Sequence, residues 1–190
     1  MTPTLIDVAE TWTRIEQVLQ KHVPDTARTL ARPATDDDIA ELQAAIGLIL
    51  PTDFCQSLKV HNGQEDSTRC HSFIIEGLLA STSQISETWR MLTEVDDRFR
   101  QELADWVQGD WWSRHWVPFT IGDGDCLCIN LDPNVRPGGT LGEIVCHVHD
   151  NPHEDGIAVS YGAWLQLLAD RLENGEFTID QYGYLAPNIP

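Results

Sequence analysis

The stretch that decides the fold is residues 116–131, WVPFTIGDGDCLCINL. Two short runs rich in β-branched and aromatic residues, 116–121 and 126–131, flank the polar tetrapeptide GDGD at 122–125. Glycine and aspartate in a short connection between two such runs are typical of a β-hairpin turn. A third run, 142–149, follows a loop rich in proline and glycine. These runs predict a meander of antiparallel strands.

Before the hairpin, apolar residues recur at steps of three and four, which indicates helices with one buried face. The stripes are Leu5, Val8, Trp12, Ile15 and Leu19 in the first helix and Ile85, Trp89, Leu92, Phe99 and Leu103 in a longer one. Between them, Thr35 precedes three aspartates at 36–38. A threonine cap followed by acids in the first turn favours a helix start over a metal site.

After the strands, a polar loop at 150–156 precedes a last helix. Its predicted inner face consists of Tyr161, Trp164, Leu165, Leu168 and Leu172. Helices at both ends of a strand meander predict an α+β fold with a mostly antiparallel sheet flanked by helices. We expect a single domain over residues 1–190, with a core from about 12 to 177 and a C-terminal tail at 178–190.

The charge balance excludes several kinds of partner. The 190 residues carry 12 basic and 30 acidic side chains, a formal net charge of −18. Residues 101–190 hold 14 of the acids and only three of the bases. Nucleic acids and anionic membranes both recruit Lys and Arg, so neither is expected as a partner. A basic protein is the expected partner.

Three observations predict a soluble, cytoplasmic protein. The first twenty residues lack the basic and apolar regions of a signal peptide. The longest stretch without a polar side chain is 44–50, far short of the roughly 20 residues that a membrane helix needs. Five cysteines form no evident disulfide framework, which suits a reducing compartment.

Two clusters could suggest chemistry, and both have simpler explanations. Cys126, Cys128, Cys146, His147 and His149 cannot all converge on a metal, because alternate strand residues point to opposite faces. The cysteines are expected to be small buried hydrophobes.

Asp150, His153, Glu154 and Asp155 belong to a polar loop, where general acid–base catalysis would lack a pocket that tunes their pKa values. No serine or glycine-rich motif offers a nucleophile or a phosphate-binding loop. We therefore predict no catalytic residues, no metal, no cofactor and no enzymatic activity.

Short motifs follow one another in a fixed order from about residue 12 to residue 177. In the first half they are Trp12 with Ile15 and Glu16, PAT at 33–35 leading through Ile39 and Leu42 to Gly47, Leu50-Pro51, Ser57-Leu58, and His61-Asn62-Gly63. In the second half they are Trp112, Trp116 with Pro118-Phe119, CINLDP at 128–133, GEIV at 142–145, Ser160, and Trp164-Leu165. By these motifs the chain resembles the SUKH superfamily. Its founding members include fungal regulators of cell-wall synthesis, and many bacterial members are immunity proteins of polymorphic toxin systems.

The resemblance implies a non-enzymatic protein with a sheet, flanking helices and a variable protein-binding surface. Two positions depart from the family pattern: Asn130 stands where the family usually has Asp, and Glu143 where it often has Gln. Any polar contact made there is expected to differ.

We interpret the chain as a cytosolic immunity protein that binds and neutralises a cognate toxin, plausibly a basic nuclease or another effector that acts in the cytosol. The acidity favours this interpretation, since a toxin that acts on nucleic acid carries a positive surface. The alternative is a regulatory scaffold like the fungal members. The oligomeric state is left open.

The partner-binding face can be placed from the topology. Alternate connections of an antiparallel meander lie at opposite ends, so the turn at 122–125 and the loop after the third strand should share one end, with Asp132 at the other. The expected binding residues are Asp123, Asp125, Asp150, Glu154 and Asp155, with an exposed Trp111 or Trp112 beside them.

Overall fold

A computed structural model describes residues 6–65, 72–74, 77–102, 111–134, 137–150, 154–179 and 185–187. The helices within these ranges are α1 (Val8–His22), α2 (Pro24–Ala27), α3 (Asp36–Ile46), α4 (Thr52–Leu58), α5 (Thr82–Glu102) and α6 (Tyr161–Glu173). The strands are β1 (Leu78–Leu79), β2 (Trp116–Pro118), β3 (Thr120–Ile121), β4 (Cys126–Asn130), β5 (Ile144–His147), β6 (Glu154–Ala158), β7 (Phe177–Ile179) and β8 (Leu185–Pro187). The α+β class and the antiparallel pairing are confirmed.

The N-terminal helices begin and end at the residues that local chemistry favours. Asp7 accepts a hydrogen bond from the backbone N–H of Glu10 at 3.0 Å and caps α1. The capping box at the start of α3 is complete, because the Thr35 hydroxyl accepts from Asp38 N while the Asp38 carboxylate accepts from Thr35 N. Gly47 ends α3 with φ +71°, the left-handed conformation that glycine adopts without strain. The aspartate run is therefore a helix start, as predicted.

The predicted hairpin contributes the edge strand β2 and the central strand β4 to a four-stranded sheet with the order β2-β4-β5-β6. Trp116 pairs with Asn130 across β2 and β4, and Cys126 pairs with His147 across β4 and β5. Neighbouring pairs are antiparallel throughout. The first arm of the hairpin continues past β2 into β3, which pairs with β1 instead of joining the main sheet.

Several strand boundaries differ from the sequence expectation. The third strand, expected over 142–149, is limited to Ile144–His147. The polar loop expected at 150–156 is wrong in part, because Glu154–Ala158 is the outer strand β6, with Gly156 at φ +70°. Five further strand residues come from the expected tail at 178–190, where β7, which begins at Phe177, pairs with β8. Apolar and polar residues do not alternate over enough positions to predict β6, β7 or β8, because these short strands are defined by their pairing in the tertiary structure.

Both faces of the main sheet are covered. One face packs into the larger core, to which Leu127, Ile129, Ile144 and Cys146 contribute from the strands and Trp12, Ile15, Phe54 and Leu165 from the helices. The other face packs under α5 through a smaller cluster of Leu92, Trp112, Trp116, Cys126, Cys128 and Val145. Cys126 and Cys128 thus lie on the opposite face from Cys146, as the alternation predicts, and all three are buried.

The motif His61-Asn62-Gly63 joins three parts of the fold. The His61 ring packs edge-on against Trp12, and its Nε2 lies 2.6 Å from Glu16 Oε1. Asn62 Oδ1 accepts from the backbone N–H of Thr82 at 2.8 Å, at the start of α5. Gly63 has φ +77°, and a Cβ built there would lie 2.5 Å from the backbone nitrogen of Ser81. Each residue of this motif therefore has a structural task.

Candidate functional site

The two connections that were expected to carry acids of the partner-binding face lie at one end of the main sheet. The turn at 122–125 enters β4 and the segment at 148–150 leaves β5, so the pairing of Cys126 with His147 brings them together. Asp125 Oδ1 accepts from the backbone N–H of His149 at 3.0 Å and lies 2.8 Å from His149 Nδ1. The expectation that these two connections share an end is confirmed.

The opposite end of the sheet holds Asp132, also as predicted. Asp132 follows β4, and the neighbouring Leu131 N–H donates to His115 O at 2.8 Å just before β2 begins. The acids at the two ends of the sheet are therefore separated by the length of the strands.

We define the acidic end as Asp123, Asp125 and Asp150, the three acids of these two connections. Asp123 and Asp150 are exposed, and Asp125 is half-buried. The hydrogen bond that His149 Nδ1 donates to Asp125 raises the pKa of His149 above its usual value, and the neighbouring Asp150 and Asp123 charges act in the same direction. The N–H donors of His149, led by its backbone group, hold the pKa of Asp125 below its usual value. The Asp125–His149 pair thus fixes the turn against the end of β5.

The two tryptophans expected beside this face require a correction. Trp112 is only 1% exposed, and its Nε1–H donates to Thr93 Oγ1 at 3.1 Å in the smaller core cluster. Trp111 is half-buried, and its Nε1–H donates to His149 O at 2.9 Å. Neither is fully exposed. Residues 111–113 are not in a strand, so their side chains need not alternate between two faces, and both rings pack on His147, with centroids at 4.8 and 5.4 Å.

Two further predicted residues, Glu154 and Asp155, begin β6 instead of lying in a loop. Only their backbone is described. Since Glu154 pairs with Cys146 near the end of β5, β6 starts at the end of the sheet that holds the acidic end. His153 lies outside the described residues.

The cysteine and histidine cluster is a packed interior. Cys126 Sγ and Cys128 Sγ are 3.6 Å apart, and burial raises the pKa of the Cys128 thiol well above its usual value. The four cysteines within the described ranges, Cys55, Cys126, Cys128 and Cys146, are free thiols. Among the side chains that the structure describes, no three His, Cys, Asp or Glu residues are arranged to hold a metal ion.

Sequence reasoning missed a buried polar junction between α1, α4 and α6. Trp12 Nε1–H donates to Ser57 Oγ at 2.8 Å, and the Tyr161 hydroxyl lies 2.8 Å from the same oxygen. Burial raises the pKa of Tyr161 far above its usual value. The three residues lie 45 and 104 positions apart, so no local pattern could have linked them.

The two departures from the family pattern also meet in space. Asn130 and Glu143 are both buried, and Asn130 Nδ2 lies 3.5 Å from Glu143 Oε1. The Asn130 amide is thus the donor in a buried contact with the Glu143 carboxylate. Asn130 ends β4 and Glu143 directly precedes β5, so this buried pair lies at the end of the sheet opposite the acidic end.

A polar groove of about 500 Å³ lies at the start of α5. Its walls are Ala31, Arg32, Pro33, Asn62, Gln64, Glu65, Ser81, Ser83 and Gln84. Some of these residues already bond to one another: the Asn62 N–H donates to Arg32 O at 3.1 Å, and the Ser81 N–H donates to Gln84 Oε1 at 2.9 Å. The groove lies where several elements of the fold meet, and its described lining residues do not form a catalytic site.

The structure therefore describes an α+β domain whose helix-covered antiparallel sheet presents an acidic end. The model of the SMI1/KNR4 family (SUKH-1) matches residues 33–167, and the chain belongs to this family. No helix in the described ranges is both long and apolar enough to cross a membrane.

The curated relatives are fungal. A glucan synthesis regulatory protein of Neurospora crassa is 22% identical over 94% of this chain and 41% of its own length. The cell wall biosynthesis/cell cycle regulator smi1 of Schizosaccharomyces pombe is 24% identical over 92% of this chain and 38% of its own. A KNR4/SMI1 homolog of Yarrowia lipolytica is 32% identical over 54% of this chain and 14% of its own. The chain thus spans about two fifths or less of the length of these relatives.

Proposed function

We propose that this chain is a regulatory protein-binding domain that docks a basic protein partner through the acidic end. The observation that carries the proposal is the convergence of Asp123, Asp125 and Asp150 at one sheet end, held by the Asp125–His149 pair. Exposed charges of one sign in a fixed arrangement attract an oppositely charged partner and raise its association rate. The net charge of −18 adds a long-range attraction of the same sign.

The regulatory role is preferred over the interpretation as a toxin-neutralising immunity protein. The relatives whose names state a role are regulators of glucan synthesis or of cell wall biosynthesis. No comparison supports an immunity function. The acidity itself is compatible with either role, because both need a basic protein partner. A regulator that acts by binding needs no catalytic group, so we propose a non-enzymatic role. The described cysteines are free thiols, which supports a proposed location in the reducing cytosol.

The proposal is tested with two charge-reversed variants that have the same net charge. In D123K/D150K the acidic end is reversed, whereas in the control E41K/E176K two exposed acids elsewhere are reversed. The partner is first isolated by co-purification with the wild-type chain from its own cells and identified. Its association rate with each variant is then measured at several salt concentrations.

We expect D123K/D150K to slow association about tenfold or more at low salt, since steering by complementary charge spans at least that range. The association rate of the control variant should fall much less, because that variant changes the net charge but leaves the acidic end intact. Equal rates for both variants would contradict docking at the acidic end. A toxin encoded beside this gene and captured as the partner would replace the regulatory role by immunity.

A further inference from the structure

The two outer edges of the main sheet differ. At the β2 edge, Pro118 has no N–H to donate, and the Trp116 N–H donates to Ser113 O at 2.9 Å. The alternate residue Val117 pairs inward with Ile129 of β4. This edge therefore offers no backbone donor to another strand, which is a common way in which proteins protect a sheet edge.

The opposite edge is β6, which is bulged in its pairing with β5, with Gly156 at φ +70°, but keeps its backbone donors. β6 pairs with β5 on one side, and no described strand pairs with its other side. It contains no proline, and Gly156 is exposed while Ile157 and Ala158 are half-buried. Outward backbone groups of such an edge are a template for one more strand.

The chemistry along β6 changes from one end to the other. The strand begins with Glu154 and Asp155 at the end of the sheet that holds the acidic end. It is followed by Val159, which is 67% exposed. The pairing of Ile144 with Ala158 puts the segment before β5 at this same end, and there Leu141 is 59% exposed. The edge is thus acidic at its start and apolar at its finish.

We infer that β6 accepts an extended segment of the partner as an additional strand, with basic residues of that segment at the acidic end and apolar residues beside Val159 and Leu141. The inference rests on the proposed function and names the mode of docking. We choose a segment of the partner because its basic residues would complement the negative charge of the acidic end. A second copy of the chain would also carry a net charge of −18, so strand pairing between copies is opposed by repulsion.

The probe is a synthetic eight-residue peptide whose first half alternates valine and threonine and whose second half alternates lysine and threonine. Paired antiparallel to β6, it places its lysines at the acidic end. Two matched controls accompany it: the same peptide with alternate backbone nitrogens methylated on the pairing side, and the same composition in scrambled order. Binding is measured by titration calorimetry and by amide exchange at 156–159 in the full chain.

We expect the parent peptide to protect amides at 156–159, and methylation to weaken binding about tenfold or more, since several backbone hydrogen bonds of about 1 kcal/mol each are removed. V159S should weaken binding of the parent peptide, whereas I49S, at another exposed apolar residue, should not.

Equal binding of parent, methylated and scrambled peptides would overturn strand addition and leave only electrostatic attraction to the acidic end. Absence of peptide binding would overturn it as well. Neither outcome bears on the proposed function, which fails separately if D123K/D150K leaves association with the isolated partner unchanged.

Discussion

The contact between Asn130 and Glu143 gives the sharpest test of the packing described here. Asn130 Nδ2 is the donor toward Glu143 Oε1 at 3.5 Å, and only 7% of Asn130 and 3% of Glu143 is exposed. N130D replaces that donor by a carboxylate and puts two acidic groups side by side in the interior. E143Q added to it restores one amide and one carboxylate, with the roles exchanged.

The magnitudes follow from burial. N130D replaces a donor to a buried carboxylate by a second carboxylate, whose oxygen can still accept from the Asp132 N–H, so the free energy of unfolding should fall by about 2–3 kcal/mol, the size of a hydrogen bond to a charged group. In E143Q alone, the glutamine oxygen can still accept from Asn130 Nδ2, so the free energy of unfolding should fall by only about 1 kcal/mol. The double variant N130D/E143Q should lie within about 1 kcal/mol of wild type, which gives a coupling energy of about 2 kcal/mol or more.

The assay is urea unfolding followed by tryptophan fluorescence at pH 7 and pH 5. The loss in N130D should be smaller at pH 5, because one proton can then bridge the two carboxyl groups. A matched exposed pair serves as the control: Asn174 Nδ2 lies 3.4 Å from Glu176 Oε1 at the surface, and N174D should cost less than about 1 kcal/mol. If E143Q does not rescue N130D, the two side chains do not interact as described and the reasoning is refuted.

Three further outcomes are expected. In urea unfolding, G63A should be less stable than G47A by about 2 kcal/mol or more. Both glycines have a positive φ, but only a Cβ at position 63 would meet backbone atoms. Equal losses of unfolding free energy in the two variants would contradict this packing. D125N should lower the pKa of His149 measured by NMR. Because the wild-type pKa of His149 is raised, the stabilisation that its protonated ring provides is present below about pH 6.5 and is lost as the pH rises through the folded-state pKa. D125N should reduce this pH dependence, and the charges of Asp150 and Asp123 should keep a smaller part of it. Cys128 should resist a thiol reagent in the folded protein and react after unfolding, since burial raises its pKa; rapid labelling of the native chain would show that this cluster opens.

The sequence by itself determined the features whose physical cause lies within a few residues. The capping box of Thr35 and Asp38, the left-handed Gly47 and the turn at 122–125 depend on hydrogen bonds and backbone conformations between near neighbours. Helical and strand periodicities are local in the same sense, so the α+β class and the shared end of the acidic connections followed from them. The motif order was also enough to indicate the family.

Only the tertiary structure decided the features that join distant segments. The burial of Trp112 and the edge contact of Trp111 depend on His147, which comes from another strand. The outer strand β6 has no sequence period, because its partner β5 and a bulge between them define it. The buried contact between Asn130 and Glu143 joins residues 13 positions apart, and only the pairing of β4 with β5 brings them together. In each case the energy comes from contacts between residues far apart in the chain, and no local pattern encodes such contacts.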